Sequence, residues 1–254
     1  MRRIDLPLVS EISQVLDGTD WLLVGGMMVH AHCLLAEVSY TRSTSDVDVL
    51  VESAPESLPQ IKARLEGAGF VAQPNFEGTT LHRFRRLDGR YVDVLVKDRQ
   101  RELKWDGYRT IQCPGSSSAL GVYNDGTDKE VIELVGASGF PFKVPNIWSA
   151  IALKGRAYRQ PSADISRHLR DAIALFACST VYANRELTKS ENQAFNYLLS
   201  SSELSDLEMW EELNDEEAEE RAVRGILSIR KDRDLRLPRP LRDVEEMIRQ
   251  ERGI

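Results

Sequence analysis

Apolar and polar positions along the chain fall into two regimes. Up to about residue 144, short apolar runs of strand length alternate with stretches of helical spacing, and from Pro145 onward only helical spacing recurs. "ISQVLDGT" reads as a helix, and "DWLLVGG" as a buried strand closed by a glycine turn. "MMVHAHCLLAE" carries apolar residues around most of its circumference, which predicts a buried helix. "DVDVLVE" alternates with period two, as a strand does. "SLPQIKARLEGAGF" has helical spacing and a glycine stop, and "TLHRFRRLDGRYVDVLVKD" holds two strand-like runs around Asp88-Gly89, a hairpin signal. Residues 113 to 129 are rich in turn formers and predict a loop. Helices follow at "PNIWSAIALKGRAYRQ", at "SADISRHLRDAIALFACST" (opened by Ser162 or Ala163), at "TKSENQAFNYLLSS" and through the acidic stretch to Arg233. "LPRPL" breaks the pattern before a last helix, "RDVEEMIRQE". The pattern predicts an α+β chain with an α/β domain over residues 1–144 and a mainly helical domain over 145–254.

Composition narrows the function classes. A chain of 254 residues can bury one large core or two modest ones, and 42% hydrophobic with 29% charged residues is an ordinary globular balance. The longest apolar runs fall short of the roughly 20 residues a bilayer span needs, so no membrane segment is expected. The opening "MRRIDLPLVSEI" turns polar before a secretory apolar region forms. Cys33, Cys113 and Cys178 are odd in number and widely spaced, which points to a reducing, cytoplasmic home and away from a disulfide framework or cysteine zinc site. The net charge of -7 disfavours general nucleic-acid coating, yet it is uneven: from His82 to Lys104 eight Arg or Lys stand against four Asp or Glu, and from Lys154 to Arg170 five against one. Such local basic surface, on an acidic protein, can still meet a polyanion.

The segment from Gly25 to Asp48 concentrates the candidate chemistry. Asp46 and Asp48, two apart on a predicted strand, leave the same face, while Val47 and Val49 pack on the other. Adjacent carboxylates repel and stay ionised most easily with divalent cations between them; hard oxygen ligands suit Mg²⁺ held together with substrate phosphates. The Gly25-Gly26 turn between strand and helix offers backbone N–H groups to an anion. Asp93, in the otherwise apolar "RYVDVLV", sits where propensity and burial both disfavour aspartate, and would complete an acidic triad for two metal ions.

With "VGG", a spacer, "RSTSDVDVLV" and the later "VDVLV", the chain resembles the nucleotidyltransferase (polymerase-β-like) superfamily, and is most similar to abortive-infection and type IV toxin nucleotidyltransferases, including the MenT-like group. The resemblance spans about residues 20 to 96, with a second part at about 145 to 178. It implies a nucleotidyltransferase fold, a mixed sheet flanked by helices, ahead of the helical half. It further implies an enzyme that moves a nucleoside monophosphate from an NTP to an acceptor hydroxyl with two Mg²⁺ ions held by Asp46, Asp48 and Asp93. From "SAIALKGRAYRQ" and "RHLRDAIALF" it implies functional roles for Lys154 and Asp171, with Asp164 as an alternative to Asp171. A tRNA 3′ end as acceptor and an antitoxin partner follow from the same likeness. Met27 departs from it, since many relatives carry a serine beside the glycine pair.

Other readings stay open at single positions. Arg42 is either a loop charge or a bidentate phosphate contact. Lys154 either snorkels from an apolar helix or joins Gly25, Gly26 and Arg42 on the triphosphate, and Asp171 either serves the site or pairs with Arg167 or Arg170. His30 and His32, two apart on a helix, point to different faces and form no metal pair. The acceptor could instead be a protein side chain or a small hydroxylated molecule such as an aminoglycoside, or the fold could bind nucleotide without turnover.

Overall fold

A computed structural model of the chain describes residues 2–51, 54–99, 102–121, 126, 129–161, 164–182, 185–230 and 236–253. It is an α+β protein with a mixed sheet, and its contacts divide it into two compact units. The first comprises Met1–Ala31, Ser43–Gly121 and Lys129–Asn146; the second comprises chiefly His32–Arg42 and Ile147–Ile254.

In chain order the first unit contains β1 (Arg2–Ile4), α1 (Pro7–Val15), β2 (Trp21–Val24), the start of α2 (Gly25–Ala36), β3 (Asp46–Val51), α3 (Ala54–Gly67), β4 (Val71–Pro74), β5 (Leu81–Arg85) and β6 (Tyr91–Lys97). It continues with β7 (Lys104–Trp105), β8 (Tyr108–Arg109), β9 (Ile111–Cys113), the single-turn α4 (Ser116–Ala119), β10 (Val131–Gly136) and β11 (Pro141–Pro145). The six-stranded sheet runs β2-β3-β6-β5-β4, with β9 beside the far half of β6. Within this sheet, among the described residues, only the β3–β6 and β6–β9 pairs are parallel. Its register follows from alternation: Val47, Val49, Phe84, Val92, Val94 and Val96 are all buried on one face, each contributing about 1.5 to 3 kcal/mol. A slip of one residue would turn that row to solvent and the aspartates inward. The hairpin around Asp88-Gly89 forms as its residues predict, with Gly89 at φ 87°. A second sheet, β1-β10-β11, has no counterpart in the sequence reading. The predicted loop over 113–129 contains the α4 turn, and 122–125 and 127–128 lie outside the described residues.

The second unit contains the remainder of α2, then α5 (Ile147–Tyr158), α6 (Ser166–Ser179), α7 (Lys189–Leu199), α8 (Glu216–Ile229) and α9 (Arg239–Arg252). Gly155 of α5 lies against the backbone of Ala194 in α7, and Gly225 of α8 against that of Phe176 in α6, so these helices meet backbone to backbone. The proposed openers of α6, Ser162 and Ala163, lie outside the described residues. The acidic stretch corrects the expectation of continuous helix: residues 202–213 make three 3₁₀ turns before α8. Asp206 is extended between two of them, Asn214 turns left-handed at φ 56°, and Asp215 then caps α8 by accepting from the Ala218 N–H. Residues 32–42, placed by sequence in the first domain, group with this unit because Arg221 donates to the Ala36 carbonyl and Thr41 pairs with Glu212. The three cysteines are free thiols, Cys33 and Cys178 with sulfurs 3.6 Å apart. Among the described residues no helix is long and apolar enough to cross a membrane.

Candidate metal centre

Directly opposed residues on neighbouring strands share a face, and the register lays the candidate residues out in two rows. Val24, Asp48, Asp93, Arg83 and Gln73 are successive partners across β2, β3, β6, β5 and β4. Two residues along, Asp46, Tyr91, Arg85 and Val71 make the next row on the same face. Asp46, Asp48 and Asp93 thereby gather, with one carboxylate oxygen from each lying within 4.8 Å of the others. Three oxygen donors at that spacing, two half-buried and one buried, fit a hard divalent cation.

Neighbours hold the carboxylates in place. The Thr44 hydroxyl donates to Asp46 at 2.8 Å. Arg83 grips Asp93 with a fork, Nε to Oδ1 at 2.8 Å and Nη2 to Oδ2 at 2.6 Å. That hydrogen bond raises the guanidinium's pKa above its ordinary value against the opposing effect of burial. The Tyr91 ring lies under both Arg83 and Arg85, 5.0 and 5.5 Å from centroid to guanidinium carbon. Gly25 follows the strand partner of Asp48, takes φ 68°, and has the Asp48 carboxylate where a Cβ would stand. Any other residue would be strained and would displace the carboxylate, so this position needs glycine for two separate reasons. Gly26 continues into α2, whose first N–H groups carry the positive end of the helix dipole.

The other predicted residues form a cluster in the second unit. Asp171, 1% exposed, accepts from Lys154 Nζ at 2.7 Å, from Arg42 Nε at 2.9 Å and from the Tyr40 hydroxyl at 2.7 Å. Burial works against the Asp171 charge, but Lys154 and Arg42 outweigh it and hold the carboxyl below the usual carboxylate range. Arg42 is thus tied to Asp171 and is no loose loop charge, and Lys154 is buried rather than snorkelling. Asp164, the alternative to Asp171, is exposed, accepting from the Arg167 N–H at 3.1 Å and pairing with Arg170.

His168 stands beside this cluster with a buried Nδ1 that lacks a hydrogen-bond partner. Burial, with Lys154 and Arg167 adding to it, lowers its pKa from 6.5 to about 4. The unfolded chain therefore takes up the proton first: this residue's contribution to stability is complete above pH 6.5 and is lost as pH falls toward 4. His168→Gln should flatten that part of a plot of urea midpoint against pH, and an unchanged slope would remove His168 from the account.

Several side chains of the two basic stretches already have partners. Arg86 pairs with Glu11 and Asp88, and Arg156 donates to Ser190 and Gln193. The sequence reading missed Tyr40, Thr44 and the grip of Arg83 on Asp93. The last was within reach, since hairpin register around Asp88-Gly89 places Arg83 opposite Asp93. No protein-family model, curated protein or solved structure matches the chain at a significant level.

Proposed function

We propose that the chain is a nucleotidyltransferase of the polymerase-β-like kind, transferring a nucleoside monophosphate from an NTP to an acceptor hydroxyl with release of pyrophosphate. The observation that carries this reading is the convergence of Asp46, Asp48 and Asp93 from two parallel strands, beside a glycine turn that opens a helix. Asp46 and Asp48 would hold both Mg²⁺ ions, and Asp93 would complete one of them and accept the proton of the attacking hydroxyl. When bound, the two ions supply charge neutralisation for the triphosphate and a lowered pKa for that hydroxyl. The Gly25 and Gly26 amides would meet phosphate oxygens. The resemblance gives Lys154 to the triphosphate as well, and Arg42 joins it because a guanidinium suits bidentate phosphate contact; both cations meet Asp171. Positioning and preorganised charge would do most of the catalysis.

The acceptor we favour is a tRNA 3′ end, as in the toxins the sequence resembles, with an antitoxin as protein partner. Incubation with each labelled NTP, Mg²⁺ and total cellular RNA tests this directly. Label in RNA is the expected result. Label in protein or in a small hydroxylated acceptor would replace the tRNA reading, and no label in any fraction would leave a nucleotide-binding protein without turnover.

A further inference from the structure

Arg83 meets the carboxylate cluster through a two-point fork on Asp93. Its strand position opposite Asp93 is fixed by the β5–β6 register. We propose that Arg83 is a displaceable counter-ion: a divalent cation entering the cluster takes an Asp93 oxygen from it, and the freed guanidinium then becomes a contact for the phosphates of an incoming nucleotide. The proposal rests on reading the three aspartates as a cation site.

Three observations support it. The fork engages both Asp93 oxygens, one of which lies within 4.8 Å of oxygens of Asp46 and Asp48, so a cation shared by the three competes with Arg83 for the same lone pairs. The partner free to move is the arginine: the Asp93 side chain is 9% exposed and Arg83 is 40% exposed on a long flexible stem. The Tyr91 ring, already 5.0 Å from the forked guanidinium, is a contact Arg83 can keep when it leaves Asp93, on the face that carries Asp46. The charge balance agrees. Carboxylate oxygens gathered within 4.8 Å of one another favour a divalent cation between them, and a triphosphate arriving afterwards needs a positive partner. A planar guanidinium suits phosphate as well as it suits carboxylate.

The test titrates Mn²⁺ into the full chain, reading free Mn²⁺ by electron paramagnetic resonance, with and without a non-hydrolysable NTP analogue. Removing Arg83 should move two affinities in opposite directions, which a general folding defect does not do. Arg83→Gln is expected to tighten Mn²⁺ alone by about tenfold, and to weaken the analogue at saturating Mn²⁺ by about tenfold, within the range ordinary for coupled sites. Arg83→Lys, which keeps the charge without the fork, should fall between wild type and Arg83→Gln on both measurements. Asp46→Asn should remove Mn²⁺ binding. If Asp46→Asn does so but Arg83→Gln binds Mn²⁺ no tighter than wild type, the counter-ion proposal is overturned and the cation site stands. If Mn²⁺ tightens but the analogue is unaffected, the transfer of Arg83 to phosphate is wrong. If no variant and no wild-type sample binds Mn²⁺, the cation site fails and the proposal fails with it.

Discussion

Asp48→Asn should reduce nucleotidyl transfer by about a thousandfold or more, a loss on the scale seen when a charge-stabilising group leaves a preorganised site. The same variant should unfold, without divalent cation, no earlier than wild type. Both expectations come from one geometry. One oxygen of Asp48 lies within 4.8 Å of oxygens of Asp46 and Asp93, so an isosteric amide removes a like charge from their neighbourhood without opening a cavity. Asp93→Asn should separate from it. That substitution also breaks the fork to Arg83, a half-exposed pair worth about 1 kcal/mol, so activity and stability should both fall. Turnover by Asp48→Asn close to wild type at ordinary Mg²⁺ would sink the metal-site reading, and a marked drop in its melting temperature would make Asp48 a structural residue.

Asp171→Ala should destabilise the chain by about 3 to 5 kcal/mol, because it leaves the Lys154 ammonium buried with its carboxylate gone. The readout is a lower urea midpoint at an unchanged slope. Lys154→Ala should cost a similar amount, and the apolar pair Lys154→Met with Asp171→Leu should recover most of the loss. The sign with pH follows from the lowered carboxyl pKa: the contribution is present above the ordinary carboxylate value and disappears as pH falls through the depressed one. The same measurement decides what Lys154 does. If Lys154→Ala weakens NTP use while the urea midpoint stays put, the lysine serves nucleotide alone; a shifted midpoint makes it also part of the packing of α5 on α6.

The parts of this protein that were legible in its sequence are those where one short segment sets both conformation and chemistry. "DVDVLV" declares a strand with two carboxylates on one side and valines on the other, because a period of two leaves no other arrangement. Asp88-Gly89 fixes a hairpin, because only a tight turn uses that pair between two apolar runs. The strands Val131–Gly136 and Pro141–Pro145 stayed hidden, since they are short, contain proline and glycine, and take their pairing from β1 at the distant N-terminus. The helix expected through "SSELSDLEMWEELN" failed for a related reason. Its acidic residues fit helical spacing, but the Ser201 and Ser205 side chains bond local backbone groups, Ser201 accepting from the Glu203 N–H and Ser205 donating to the Ser202 carbonyl, which favours tight turns over a helix interior. Lys154 and Asp171 could be singled out by type. That they meet each other, with Tyr40 and Arg42 on the same carboxylate, depends on the packing of α5 and α6, which no local pattern encodes.

The order in which the sheet can assemble gives the Arg83 fork a role during folding. Arg83 and Asp93 are ten residues apart across a tight hairpin, a contact that closes quickly and locally. Asp48 reaches Asp93 only when β3 and β6 pair in parallel, after the crossover that contains α3, β4 and β5 has closed, and such long loops close late. Asp93 therefore meets its cation before it meets its like-charged neighbours. The approach of Asp46 and Asp48 to Asp93 takes place with Asp93 already screened.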